Sequence, residues 1–146
     1  IGNAIRCASE GKSVIIIQFL KGKNENELAF LNRLEPEIKI FRFAKSDESF
    51  EELSEQEQQE EAMNLRNGFN YGKKVVTTAA CDMLILDEVL GVIDEKVVTP
   101  QEMQELFENK PDDMTLICTG RVLEDSIRPY ADEIYNIAPE KIRIDE

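Results

Sequence analysis

Hydrophobic residues along the chain fall into short runs separated by longer amphipathic stretches. Residues 13–20, 83–86 and 114–118 are continuous apolar runs, typical of strands buried on both faces. Residues 38–43 alternate apolar and polar positions, which predicts an edge or half-buried strand, and residues 133–137 form a weaker fifth candidate. The pattern therefore predicts four or five short strands.

Helical patterns lie between these runs. Residues 3–10 are typical of the end of a helix, and residues 24–34 carry apolar positions at helical spacing. Residues 55–80 predict a long helix, in which Gly68 and Gly72 favour a kink or a break.

Two shorter helices are predicted in the second half of the chain. Thr99, Pro100 and Glu102 form a good helix start, with a threonine N-cap, proline in the first turn and an acidic side chain behind it. This helix should end near residue 108, and residues 123–130 predict a last short helix. Strands that alternate with helices imply βαβ crossovers, so we expect one α/β domain over residues 1–146, with a mostly parallel sheet and helices on both faces.

Charge and composition exclude several classes of function. Thirty acidic residues oppose seventeen basic ones, a formal charge of −13 that would repel nucleic acid. No histidine occurs, which excludes a serine–histidine or cysteine–histidine mechanism within these residues. Three cysteines without close pairing favour a reducing cytoplasm over a disulfide framework or a zinc site, and no run is long enough to span a membrane.

Polar side chains follow three of the predicted strands. Lys21 follows the first long run, Asp87 and Glu88 follow residues 83–86, and Arg121 lies just after residues 114–118. Because the carboxyl ends of parallel strands meet at one edge of a sheet, two cations and two carboxylates should surround a magnesium-bound nucleotide there. Each signal also has an ordinary explanation, namely an acidic turn, an exposed turn, or a surface arginine.

The surface arginine would then pair with Glu124 or Asp125. Phe50 is likewise open to two interpretations. In an acidic stretch it could contact a large apolar ligand, or it could act as a hydrophobic staple on the following helix.

Taken in order, several segments resemble the P-loop corrinoid adenosyltransferases, which act on cob(I)alamin or cob(I)yrinic acid a,c-diamide. The main ones are Gln-Phe-Leu-Lys-Gly at 18–22, Leu-Asp-Glu at 86–88 and Thr-Gly-Arg at 119–121. Matching segments also occur at 2–6, 11–14, 72–73, 110–111 and 131–132, so the similarity covers about residues 1–137.

The resemblance implies a RecA-like P-loop NTPase fold, usually dimeric. It also implies transfer of the 5′-deoxyadenosyl group of MgATP to the cobalt of a reduced corrinoid, with release of triphosphate. Asp87 and Glu88 would then serve Mg²⁺ and its waters, and Arg6 and Arg121 would contact phosphates or ribose. Lys21 is a further candidate for nucleotide binding.

Three departures from the family pattern bear on these expectations. The family's Gly-x-Gly-Lys-Gly-Lys-Thr loop does not occur in residues 1–146, so we expect further residues before Ile1 in the natural protein and poor MgATP binding by these residues alone. Members often have a tryptophan near the corrinoid, for which Phe50 is the available replacement. The C-terminal His-Pro-aromatic lid is replaced by residues 138–141.

Two alternative functions stay open. The protein could be another P-loop ATPase or kinase-like enzyme, or it could be a non-catalytic relative that binds a corrinoid or a nucleotide.

Overall fold

In the part of the chain that the structure describes, four parallel strands form one sheet. The computed structural model describes residues 10–19, 38–43 and 52–135. The strands are β1 (Val14–Gln18), β2 (Ile38–Arg42), β3 (Met83–Asp87) and β4 (Thr115–Cys118), in the spatial order β2-β1-β3-β4. The predicted parallel α/β architecture of the P-loop NTPase type is confirmed, and β2 lies at the edge of the described sheet, as its alternating pattern predicted.

Backbone hydrogen bonds continue past the ends of the strands at the carboxyl edge. Gln18 is aligned with Arg42 on one side and with Asp87 on the other. The Phe19 N–H donates to the Asp87 carbonyl at 3.0 Å, and the Phe43 N–H donates to the Gln18 carbonyl at 3.3 Å. These bonds hold the ends of three strands side by side at this edge.

The long predicted helix is α1 (Glu55–Thr78), and it begins with a side-chain cap. Ser54 accepts the backbone N–H of Glu57, which satisfies one of the free donors of the first turn. The predicted kink or break at Gly68 and Gly72 is wrong as a break, because α1 is one continuous helix. A Cβ added at Gly68 would lie 2.9 Å from the Phe43 ring, so this glycine permits close packing on the sheet rather than a break.

Two further helices follow β3: α2 (Val89–Asp94) and α3 (Pro100–Asn109). The predicted start of α3 is confirmed as a complete capping box between Thr99 and Glu102. Glu102 also pairs with Arg66 of α1, and the hydrogen bond from this guanidinium lowers the pKa of the carboxyl group. One side chain thus caps α3 and ties it to α1.

Hydrophobic side chains are buried on both faces of the strands. The larger cluster joins Ile17 and Leu86 of the sheet to Leu65 and Phe69 of α1 and to the apolar sides of α2 and α3. Full burial of one such side chain stabilises the fold by about 1.5–3 kcal/mol. The opposite face carries a smaller buried cluster, which consists of Val14, Ile16, Ile38 and Ile85.

The segment after β4 differs from the prediction. In place of a helix over residues 123–130, the structure has a short 3₁₀ turn, Arg128–Tyr130. Between residues 124 and 130 only Ile127 is buried, and a helix this short needs a packed apolar face to form. Residues 133–135 are exposed and not in a strand, so the fifth strand is not seen in this part, while residues 136–137 lie outside the described residues.

The helices predicted at residues 3–10 and 24–34 also lie outside the described residues, apart from Glu10, which is in a turn. None of the helices in the described ranges is both long and apolar enough to cross a bilayer.

Candidate nucleotide and metal site

Strand β3 ends at the carboxyl edge of the sheet with the carboxylate of Asp87. Leu84 and Leu86 are fully buried against the helices, and Ile85 is buried on the opposite face. Asp87 is the last residue of this strand, and it is only half-buried. A hydrophobic strand that ends at a polar edge thus places one carboxylate where a ligand can reach it.

Thr119 holds the turn that follows β3. Its hydroxyl donates to Oδ1 of Asp87 at 3.0 Å and accepts the backbone N–H of Glu88 at 2.9 Å. Its own backbone N–H donates to the Leu86 carbonyl at 3.2 Å, and its carbonyl accepts from the Leu90 N–H at 3.2 Å. One residue after β4 therefore fixes the side chain of Asp87 and the backbone on either side of it.

Glu88 has a left-handed backbone, with a φ of 63° and a ψ of 24°. For a residue with a side chain this conformation costs about 1–2 kcal/mol. The hydrogen bond to Thr119 and the start of α2 directly afterwards maintain it. Strained backbone is common where a side chain must be aimed at a ligand, although the described residues Ala79 and Lys96 also have positive φ.

Gly120 brings the loop after β4 against α2. A Cβ added at this position would lie 2.3 Å from the Cβ of Leu90, a distance that no side chain could occupy without a shift. The glycine therefore permits the close approach on which the Thr119 hydrogen bonds depend.

Arg121 lies in the same loop and is exposed. The surface pairing considered from the sequence is not observed, because Asp125 pairs with Arg128 at 3.3 Å and Glu124 accepts from the Ser126 hydroxyl. No ion pair of Arg121 occurs among the described residues.

Three of the predicted site residues cannot be placed. Arg6, Lys21 and Phe50 lie outside the described residues. The described part brings Asp87 and Glu88 together with Thr119, and it places Arg121 two residues further along the loop. Thr119 is part of the Thr-Gly-Arg motif, but the sequence did not predict that it links the end of β4 to the end of β3.

A magnesium ion fits the donors that the described edge provides. Mg²⁺ usually takes one or two carboxylates and completes its shell with phosphate oxygens and water. Asp87 offers a carboxylate that Thr119 holds in one orientation, and Glu88 is adjacent. Within the described ranges no group of three or more histidine, cysteine, aspartate or glutamate side chains could hold a metal ion.

The Cys118 thiol at the end of β4 is not suited to nucleophilic catalysis. Burial raises its pKa to about 12, so it stays protonated at physiological pH.

Comparison with known proteins identifies the family. The model of the ATP:corrinoid adenosyltransferase family BtuR/CobO/CobP matches residues 1–146. The chain belongs to this family. The sequence resemblance is thereby confirmed, and the family uses ATP and a corrinoid substrate.

Curated relatives carry the same name at low identity. The corrinoid adenosyltransferase of Escherichia coli K12 is 26% identical over 144 residues, which is 99% of this chain and 71% of the relative. The corrinoid adenosyltransferase CobA of Salmonella typhimurium LT2 matches with the same identity and coverage. The similarity thus extends along almost the whole of this chain.

Proposed function

We propose that the protein transfers the 5′-deoxyadenosyl group of MgATP to the cobalt of a reduced corrinoid and releases triphosphate. The observation that carries this proposal is the family match, which extends over the whole chain. The geometry supports it, because the described edge offers an oriented carboxylate and an exposed arginine but no activated nucleophile.

The substrates supply the electrons for this reaction. The electron pair of cobalt(I) attacks C5′ of ATP, a cobalt–carbon bond forms, and the C5′–oxygen bond breaks. Triphosphate leaves with the electrons of that bond, and cobalt is formally oxidised by two electrons. The protein therefore has to orient ATP, balance the charge of the leaving group and exclude water.

Each of the described site residues would have its own role in this reaction. Asp87 would hold Mg²⁺, with Thr119 fixing the carboxylate, and Glu88 would orient the water shell of the metal. Bound Mg²⁺ supplies positive charge that stabilises the departing triphosphate. Arg121 would bind a phosphate group, for which a planar guanidinium is well suited. We propose Arg6 and Lys21 as further nucleotide contacts and Phe50 as a corrinoid contact, on the family resemblance alone.

Product analysis tests the proposal. The complete gene product that carries these 146 residues is incubated anaerobically with MgATP and a corrinoid reduced to cobalt(I). We expect a light-sensitive alkylcorrinoid spectrum and one triphosphate for each corrinoid converted. ADP and phosphate without a cobalt–carbon bond would instead indicate another P-loop ATPase, and binding without turnover would indicate a non-catalytic relative.

A further inference from the structure

Gln18 at the end of β1 contains a buried polar atom without a partner. The residue is only 7% exposed, and its side-chain oxygen Oε1 has no hydrogen-bond partner among the described residues. Buried polar side chains are nearly always hydrogen-bonded, because an unpaired one loses its contacts with water and gains nothing in return. An unsatisfied oxygen atom in a well-packed strand therefore calls for a ligand.

The position of Gln18 indicates which ligand. Its Cα is paired with that of Asp87 on β3 and with that of Arg42 on β2. Residues in register on adjacent parallel strands lie about 4.8 Å apart and point to the same face. Arg42, Gln18 and Asp87 thus form one row across the carboxyl edge, and Thr119 contacts Asp87 from the side of β4.

The chemistry of this row suits a metal-bound polyphosphate. Asp87 provides negative charge for a cation, and the exposed Arg42 provides positive charge for an anion. The Gln18 amide lies between these two side chains and can bind either kind of ligand group. Its Oε1 can accept from a metal-bound water, and its Nε2 can donate to a phosphate oxygen. Val14 and Ile16 precede Gln18 on the same face and are buried in an apolar cluster, in which a hydrocarbon side chain would be the ordinary choice.

We propose that Gln18 is a positioning residue for the magnesium-bound triphosphate, and that its amide hydrogen-bonds to the bound metal–phosphate group beside Asp87. This inference rests on the proposed function, because it takes the ligand of the Asp87 edge to be MgATP. It adds a residue of β1 that belongs to the Gln-Phe-Leu-Lys-Gly segment at 18–22.

The test compares stability with affinity. Gln18→Met keeps the length of the side chain and removes the unpartnered oxygen, so the protein without ligand should be as stable as wild type or melt at a higher temperature. Its dissociation constant for MgATP should rise about tenfold, the effect of one lost hydrogen bond to a charged ligand. Affinity for ATP in EDTA should change less, because without the metal only the hydrogen bond from Nε2 to a phosphate oxygen is lost. Gln18→Leu should behave in the same way, and Gln59→Leu, on the exposed side of α1, is the control that should leave affinity unchanged.

The outcomes separate the two proposals. A wild-type gene product that neither binds MgATP nor alkylates the corrinoid would overturn the proposed function together with this role of Gln18. Normal MgATP affinity in both Gln18 variants of an active enzyme would overturn the role of Gln18 alone. A clear loss of stability without ligand in both variants would also overturn it, because Gln18 would then be a structural residue.

Discussion

The Thr119 hydroxyl links the two strands that form the site, and replacing it by valine removes that link with little change of shape. In Thr119→Val, Oδ1 of Asp87 loses a donor and the backbone N–H of Glu88 loses its acceptor. Thr119→Ser is the matched control, because serine keeps the hydroxyl and loses only a methyl group.

The size of the effect follows from the two hydrogen bonds. A neutral bond contributes about 1 kcal/mol and a bond to a charged group about 1.5–3 kcal/mol, and partial solvation at half-buried positions reduces both. We therefore expect Thr119→Val to lower the free energy of unfolding by about 1–2 kcal/mol, which corresponds to a fall in melting temperature of about 3–6 °C. Thr119→Ser should lower the free energy of unfolding by less than half as much.

The same substitution should alter the magnesium requirement. An Asp87 carboxylate without its donor is no longer held in one orientation, and loss of such a supporting contact weakens metal binding by about 10–100-fold. Urea denaturation measures the first effect, and the rate of corrinoid alkylation at increasing Mg²⁺ concentration measures the second. The reasoning is refuted if Thr119→Ser is as impaired as Thr119→Val, or if the valine variant keeps the wild-type magnesium dependence.

Three further predictions follow from the same structure. Gly120→Ala should destabilise the protein by about 1–3 kcal/mol in urea denaturation, because the new Cβ would overlap Leu90. Glu102→Gln should lower the free energy of unfolding by about 0.5 kcal/mol at pH 7, because the ion pair with Arg66 is lost. The folded pKa of Glu102 lies below its ordinary value of 4.5, so this stabilisation is present above pH 4.5 and is lost as the pH falls through the folded pKa. Cys118 should resist iodoacetamide at pH 8 in the folded protein and react after denaturation, as read by peptide mass spectrometry.

Each of these predictions has a control and a contrary outcome. Gly72→Ala should be neutral or stabilising, because its Cβ would make only ordinary contacts with Leu86 and Ile17, so equal losses at Gly72 and Gly120 would contradict the packing argument. A Glu102→Gln deficit that persists undiminished at low pH would show that charge is not its cause. Rapid alkylation of native Cys118 would contradict the raised pKa of its half-buried thiol.

The sheet could be predicted from the sequence because its strands are short, apolar and rich in β-branched residues. Residues 13–20 and 83–86 have no helical periodicity, and the alternation at 38–43 correctly indicated an edge. The placement of Asp87 followed directly, since a carboxylate after a buried parallel strand must lie at the carboxyl edge. Residues 55–80 also predicted α1, although glycines that permit close packing were interpreted as breaks.

The details of the site depend on contacts between residues that are far apart in the chain. Thr119 lies 32 residues from Asp87, and no local pattern shows that its hydroxyl will reach that carboxylate. The left-handed backbone of Glu88 likewise arises from the turn into α2, a six-residue helix too short to have a clear period. The missing partner of Gln18 becomes visible only when its burial and its neighbours are known.

The central claim is that the carboxyl edge of the sheet, at Asp87, binds the magnesium-bound nucleotide. Aspartate-to-asparagine substitutions at the two ends of β3 test it most directly. Asp82 lies at the amino end, where it accepts from the backbone N–H of Ser13 at 2.9 Å, and asparagine can keep this contact. In the complete gene product, Asp87→Asn should lower kcat/KM for MgATP in corrinoid alkylation by about 100-fold, while Asp82→Asn stays near wild type. Equal activity of the two variants would contradict the assignment of this edge.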